Sequence, residues 1–384
     1  MCERMRIARV ELYALELPLA EPFIISGGRI DARRSVVVVL HDDAGHEGYG
    51  EAAPDELPFY SEETLGSARD LITRVLVPRI AGREFDSPEA VDAALRENVR
   101  GNPFARSGLE TAAWDLEAHR RGTGLAQLVA ERLGVAPAAS FPCGVALGIP
   151  EDRRADTLTR RVYDALQHGY RRVKIKVAPG WDDVAVRAAR AGMAGTDVPL
   201  TVDANGAYDW PEHEPALRAL DDAGLLYIEQ PLAPDELVGH ARLAHALTTP
   251  LCLDETLRDV RAARQILALD GPMVWNLKVH RVGGLAEACR IYRVAAECGA
   301  RLWAGTMPES GIGSQADIAV AALAACVYPS DVEPSVRWFG RGADVIKLTM
   351  SREGRMAVPG VSTARLLDAG RFRSVTRRLH IDTS

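Results

Sequence analysis

Long uncharged apolar stretches are missing from this chain of 384 residues. Nowhere do about 20 such residues run together, so no membrane-spanning helix is expected. Behind the charges of Met1-Cys2-Glu3-Arg4-Met5-Arg6 no apolar segment follows. No export signal is therefore expected, and the chain reads as a soluble, cytoplasmic protein. Cysteine is sparse: Cys2, Cys143, Cys252, Cys289, Cys298 and Cys326 form no Cys-x-x-Cys pair, and four of them lie in apolar runs. Free thiols in a reducing compartment are the expectation, not a disulfide or thiolate-metal scaffold. A strong charge of one sign is lacking too. With a net charge of −7 and both signs interspersed, neither a nucleic-acid nor an anionic-membrane partner is expected. The basic stretch Arg371, Arg373, Arg377 and Arg378 reads as a solvated face. Low-complexity segments are absent as well.

What is present is a repeat. Asp203, Glu229, Asp254 and Lys278 each close a strand-like run, and they stand 26, 25 and 24 residues apart. Upstream, Lys174-Ile175-Lys176 closes another, 27 residues before Asp203. That interval holds one strand, one helix and two short loops, and a series of such units closes most economically into a parallel (β/α) barrel. The strand-like runs are 141–146, 172–177, 199–203, 225–229, 250–254, 273–278 and 301–305, with an eighth ending near Asp331. Alanine-rich helical spacing fills segments such as 181–193 and 284–298.

The chain exceeds the roughly 250 residues of one barrel, so a second, smaller domain is expected. Strand character at 6–20 and at Val36-Val37-Val38-Val39, then helical spacing at 62–81, 87–99, 107–121 and 124–133, places it first. The fold class is therefore α/β, a (β/α)7β modified TIM barrel with an N-terminal α+β capping domain. The expected divisions are a capping domain at 1–135, a barrel at 136–340, and a segment at 341–384 packing back on the capping domain.

Residues at the carboxyl ends of barrel strands point into one mouth. Asp203, Glu229 and Asp254 are hard oxygen ligands from three successive strands, suited to Mg²⁺, with Mn²⁺ as the alternative. Lys174 and Lys176 share one strand face, and two such ammonium groups lower each other's pKa toward the range of a general base. Lys278 stands across the barrel from Lys176 by strand order. It serves as a second base on the opposite face of a substrate, or as a fixed cation beside a developing enolate. His280 reads as a packed or solvent histidine pointing away from the mouth, and Trp303 and Met307 as core or pocket lining.

The set Lys174-Ile175-Lys176, Val202-Asp203-Ala204-Asn205, Ile228-Glu229-Gln230-Pro231, Leu253-Asp254-Glu255 and Asn276-Leu277-Lys278-x-x-Arg281-Val282-Gly283-Gly284 resembles the enolase superfamily, muconate-lactonizing subgroup. Within it the match is to the o-succinylbenzoate synthase / N-succinylamino acid racemase family. Met307-Pro308-Glu309-Ser310-Gly311-Ile312-Gly313 supports it, as do 22–28 and 58–61 as two lid loops. The resemblance implies Asp203, Glu229 and Asp254 as metal ligands and Lys176 and Lys278 as the catalytic pair. Lys174 would tune Lys176, and Asn205, Glu255 and Glu309 would support the site or face the substrate. It further implies abstraction of the proton α to a carboxylate, leading to o-succinylbenzoate by dehydration or to racemised N-succinylamino acids. We expect a small carboxylate substrate and a homo-oligomer.

Three departures bear on the substrate. Ser314 stands where relatives often carry arginine, and 361–364 replaces an expected glycine-rich stretch. Asp331-Val332-Glu333 resembles the paired acids with which dipeptide epimerases hold a substrate ammonium. Dipeptide epimerisation and muconate-type cycloisomerisation are thus the alternatives within the superfamily. A Schiff-base aldolase using Lys176 or Lys278 is the rival outside it, and a binding protein that kept the fold is the rival outside catalysis.

Overall fold

The computed structural model describes residues 4–381; Met1, Cys2 and Glu3, with the thiol of Cys2, lie outside them. The amino-terminal sheet runs Thr376–Leu379, Arg9–Ile24, Arg29–His41, Glu47–Ala52, all antiparallel. Residues 36–40 are buried on both faces. Val36, Val38 and Leu40 pack with Ala105, Leu109 and Ala112 of the helix Pro103–Arg120. Val37 and Val39 pack with Trp338, Phe339, Ile346 and Phe372 from the carboxyl-terminal region. Strand alternation thus splits one valine run between two cores, each fully buried side chain contributing about 1.5–3 kcal/mol. Gly48 and Gly50 let the helix lie directly on the sheet, since a Cβ on Gly50 would sit 2.2 Å from Gly108 O.

The segment read as a lid loop at 22–28 is the tip of a long hairpin, with strands reaching Ile24 and restarting at Arg29. It reaches the barrel: Ile149 N donates to Ile24 O at 2.9 Å and Ser26 Oγ to Ala204 O at 3.2 Å.

Seven parallel strands make the barrel wall in sequence order: Val145–Leu147, Val173–Lys176, Leu200–Asp203, Ile228–Glu229, Leu251–Leu253, Val274–Asn276 and Arg301–Trp303. The eighth position is filled by residues 326–331, joined through parallel bridges Leu302↔Cys326 and Cys143↔Ser330. Each of the seven strands is followed by helix, with two helices after Val274–Asn276, and the outward strand residues join them in one core. The first strand is shorter than expected, because Ser140–Pro142 leaves the barrel to pair antiparallel with Arg355–Ala357. Pro142 has no donor for the ladder, and Gly144 is pressed against Arg172.

Cys143, Cys252 and Cys289 are buried free thiols, Cys326 is partly buried, and Cys298 is exposed. No helix among the described residues is long and apolar enough to cross a membrane.

Candidate active site

Strand register builds the site in layers. Lys176 lies opposite Asp203 and Asp203 opposite Glu229, so their side chains share one level of the barrel interior. Glu229 lies opposite Cys252, which puts Asp254 one layer higher, at the mouth. Beneath them Tyr227, Cys252, Val274 and Trp303 form an apolar floor. The floor is also a cation platform: Lys174 Nζ and the Arg172 guanidinium stand 4.7 and 4.8 Å from the centre of the Trp303 ring.

The three carboxylates Asp203, Glu229 and Asp254 are buried, and each offers an oxygen within 4.8 Å of the others. Glu229 Oε2 and Asp254 Oδ2 accept no hydrogen bond although both are buried. Each has an ammonium near it outside hydrogen-bond geometry, Lys174 at 3.1 Å and Lys278 at 2.9 Å. Orphaned anionic oxygens converging from three strand ends fit a divalent cation. Neighbours orient the trio: Asn276 Nδ2 donates to Glu229 Oε1 at 2.8 Å, Asn205 N donates to Asp203 Oδ1 at 3.0 Å, and Arg281 pairs with Asp254 Oδ1.

The lysines differ in how they are held. Lys176 Nζ donates to Asp203 Oδ2 at 2.6 Å and to Asn205 Oδ1 at 2.8 Å, and Asn205 Nδ2 donates to Glu255 Oε1 at 2.9 Å. Lys278 Nζ lies 2.9 Å from Asp254 Oδ2 and donates to Tyr60 Oη at 3.0 Å. Burial is the largest influence on Lys176 and pushes its pKa down; Asp203 opposes this, and Lys174 adds to it. The neighbouring ammonium expected to dominate is therefore a lesser cause. Lys174 moves the other way, because Asp331, Glu229 and Asp203 outweigh its burial. In Lys278, Tyr60 and the carboxylates likewise outweigh burial.

Asp331 and Glu333 are both buried, and they do not act as a pair. Asp331 reaches the floor of the pocket, where one oxygen meets Arg172 and the other Lys174 at 2.7 Å. Glu333 Oε1 instead accepts from Ala146 N at 3.1 Å, and its Oε2 lies 3.5 Å from Arg337. To hold an ammonium together, Glu333 would have to leave Ala146 N and turn inward, and Asp331 is already neutralised by Arg172 and Lys174. Ser314 is buried beside Glu309, outside the main pocket. Glu309 accepts from Met307 N at 2.8 Å and lies 3.8 Å from His280 Nε2. His280 is packed, between Ser107 Oγ and Gly313 O at 3.1 and 3.2 Å. Although His280, Glu309 and Asp317 cluster tightly enough for a metal, an Nε2 that serves Gly313 O as an N–H has no lone pair to ligate with.

Between the domains, the pocket is walled by Phe23, Ile25, Phe59, Met307 and Trp338. Sequence reasoning gave no role to Arg172, Asn276, Tyr60 or Arg281. Arg172 and Asn276 carried a signal nonetheless, each lying two residues before a predicted site lysine and so in phase with it on the strand.

Residues 157–361 match the family description "Enolase C-terminal domain-like", and residues 8–130 match "Mandelate racemase / muconate lactonizing enzyme, N-terminal domain". An N-succinylamino acid racemase of Thermus thermophilus is 40% identical over 356 residues, 92% of this chain and 93% of that one. An o-succinylbenzoate synthase of Geobacillus kaustophilus is 38% identical over 340 residues, 88% of this chain and 87% of that one. The crystal structure of an enolase superfamily member from Enterococcus faecalis superposes with a TM-score of 0.87 at 34% identity, covering 99% of this chain and 100% of that one. With both domains matched and identity sustained across the barrel and its cap, the chain belongs to the enolase superfamily, muconate-lactonizing subgroup, in the o-succinylbenzoate synthase / N-succinylamino acid racemase family.

Proposed function

We propose that this chain removes the proton α to a carboxylate with the help of Mg²⁺ or Mn²⁺, and that it racemises N-succinylamino acids, dehydrates a cyclohexadiene hydroxy acid to o-succinylbenzoate, or does both. As a member of its family the chain is a metal-dependent enzyme of the lyase or isomerase kind. One observation carries the specific reading: two lysines from opposite sides of the barrel each pair with a different carboxylate of one trio.

Asp203, Glu229 and Asp254 would hold the cation, whose positive charge favours the enediolate and disfavours the ammonium form of both lysines. Lys176 takes the α-proton on one face, its ammonium position set by Asp203 and by Asn205, which Glu255 holds in turn. Lys278 returns a proton on the other face in a racemisation, or stays an ammonium beside the enediolate in a dehydration. Lys174, fixed among three carboxylates, balances charge and does not exchange protons. Phe23, Ile25 and Phe59 of the capping loops line the pocket, and their displacement of water would strengthen every charge interaction inside it.

A Schiff-base aldolase would also use an uncharged lysine, but its chemistry gives no role to three buried carboxylates converging beside that lysine. Failure to trap substrate with borohydride would agree with this. We place the protein in the cytoplasm, as a homo-oligomer acting on a small carboxylate, with the domain divisions given above. The deciding experiment incubates N-succinylamino acids in D₂O with Mg²⁺ and follows α-deuterium by NMR. Incorporation supports the proposal; its absence, together with no dehydration of the hydroxy acid, removes it.

A further inference from the structure

The two site lysines are not set by the same part of the molecule. Lys176 takes both its acceptors, Asp203 and Asn205, from the barrel at 2.6 and 2.8 Å. Among the described residues, what it receives from the capping domain is the Phe23 ring, whose centre is 5.9 Å away, at the outer limit of about 6 Å for a cation–π contact. Lys278 has a single barrel carboxylate, Asp254 at 2.9 Å, and a weak thioether contact, Met307 Sδ at 3.9 Å. Its other oxygen partner is Tyr60 Oη at 3.0 Å, from the capping domain. The Tyr60 ring also lies beneath the ammonium, 4.7 Å from centre to Nζ, and its hydroxyl is 3.4 Å from Asp254 Oδ1.

Tyr60 is moreover the tether of its own loop. Among the described residues, the hydrogen bonds that residues 57–61 make to the barrel are those of the Tyr60 hydroxyl. Leu57 beside it is 67% exposed, and Phe59 packs on the neighbouring hairpin tip, where a Cβ on Gly28 would come within 2.6 Å of its ring. A short loop with one polar anchor on the barrel opens at low cost. When it does, Lys278 loses one of its two oxygen partners while Lys176 loses none.

We propose that Tyr60 is a positioning residue for Lys278, so that docking of the 57–61 loop readies one face of the site and leaves the Lys176 face unaffected. The catalytic arm of this idea rests on the two-base reading above; the structural arm does not.

Two measurements on the full-length protein test it. In the first, α-proton exchange of each enantiomer of an N-succinylamino acid is followed in D₂O with Mg²⁺ for wild type, Tyr60→Phe and Lys278→Ala. The Lys278→Ala variant identifies the enantiomer that Lys278 serves. Tyr60→Phe keeps the ring and removes the hydroxyl, and it should slow exchange of that enantiomer by about tenfold or more while changing the other less than about twofold. Equal slowing of both, or of neither, overturns the proposal. In the second, backbone hydrogen exchange of residues 57–62 is measured by mass spectrometry without substrate. Lys278→Ala should raise it and Lys176→Ala should not; the same rate in both variants overturns the proposal. If the wild type exchanges neither enantiomer, the racemase part of the proposed function falls and the second measurement decides the role of Tyr60 alone.

Discussion

Lys174 Nζ stands 2.7 Å from Asp331 Oδ2, and this contact reassigns both residues. With Arg172 on its other oxygen, Asp331 is a buried counter-ion for two cations that the strand Val173–Lys176 and its start bring into the barrel. Burial and these cations together leave its carboxyl below the usual carboxylate range, the cations prevailing. Removing one partner of a buried pair leaves uncompensated charge. Asp331→Asn should therefore destabilise the fold by about 3–5 kcal/mol, as read by urea unfolding. Glu333→Gln keeps an acceptor for Ala146 N and should cost far less. A stable Asp331→Asn protein with altered preference between succinylated substrates and dipeptides would return Asp331 to the role of substrate selector.

Metal dependence is tested at Glu229. Glu229→Gln removes one ligand charge, yet Lys174 keeps Asp203 and Asp331 as partners at 3.5 and 2.7 Å, so the fold should survive. Activity and the calorimetric signal of Mg²⁺ binding should both be lost, with the melting temperature nearly unchanged. EDTA should abolish wild-type activity and Mg²⁺ restore it. Full turnover of a verified metal-free sample would refute the metal assignment.

Facing lysines predict opposite stereochemical losses. Lys176→Ala and Lys278→Ala should each abolish racemisation while retaining α-proton exchange of one enantiomer, a different one in each case. In a dehydration Lys176 alone carries protons, and Lys278→Arg should keep part of the rate as a replacement cation. Exchange of both enantiomers by both variants would contradict the assignment of faces.

Stability should fall from acid-neutral to alkaline pH. Burial pushes Glu110 up to about 8, Glu63 and Glu333 up to about 7, and Asp115 and Asp344 up to about 6. Each then binds its proton more tightly folded than unfolded. Their contribution is complete below the unfolded values near 4, and it is lost as pH rises through roughly 6 to 8. The melting temperature should decline between about pH 5 and pH 9. Glu110 accepts from Leu285 N and Ala286 N at 2.7 and 2.8 Å, and Glu110→Gln should flatten the part of that decline above about pH 7. A melting temperature that rises steadily from pH 5 to pH 9 would contradict the proton inventory.

The repeat of strand ends and the residue type at each end determined the barrel, the cap before it and the convergence of Asp203, Glu229, Asp254, Lys176 and Lys278. That much is legible because alternation in a strand and a fixed strand–helix length are local properties, and together they send every strand-end side chain to one mouth. The helices of the cap were legible for the same reason, and appear at 65–80, 88–96, 103–120 and 125–133. Only the tertiary structure decided which charge answers which. Arg172 with Asp331, Arg281 with Asp254 and Tyr60 with Lys278 join segments remote in the chain, and their distances follow from barrel shear and from how the cap docks. The same holds for Lys174 and Lys176: two lysines on one strand face look alike in sequence, but one is packed among three carboxylates and the other beside one, and the surrounding charges separate their chemistry.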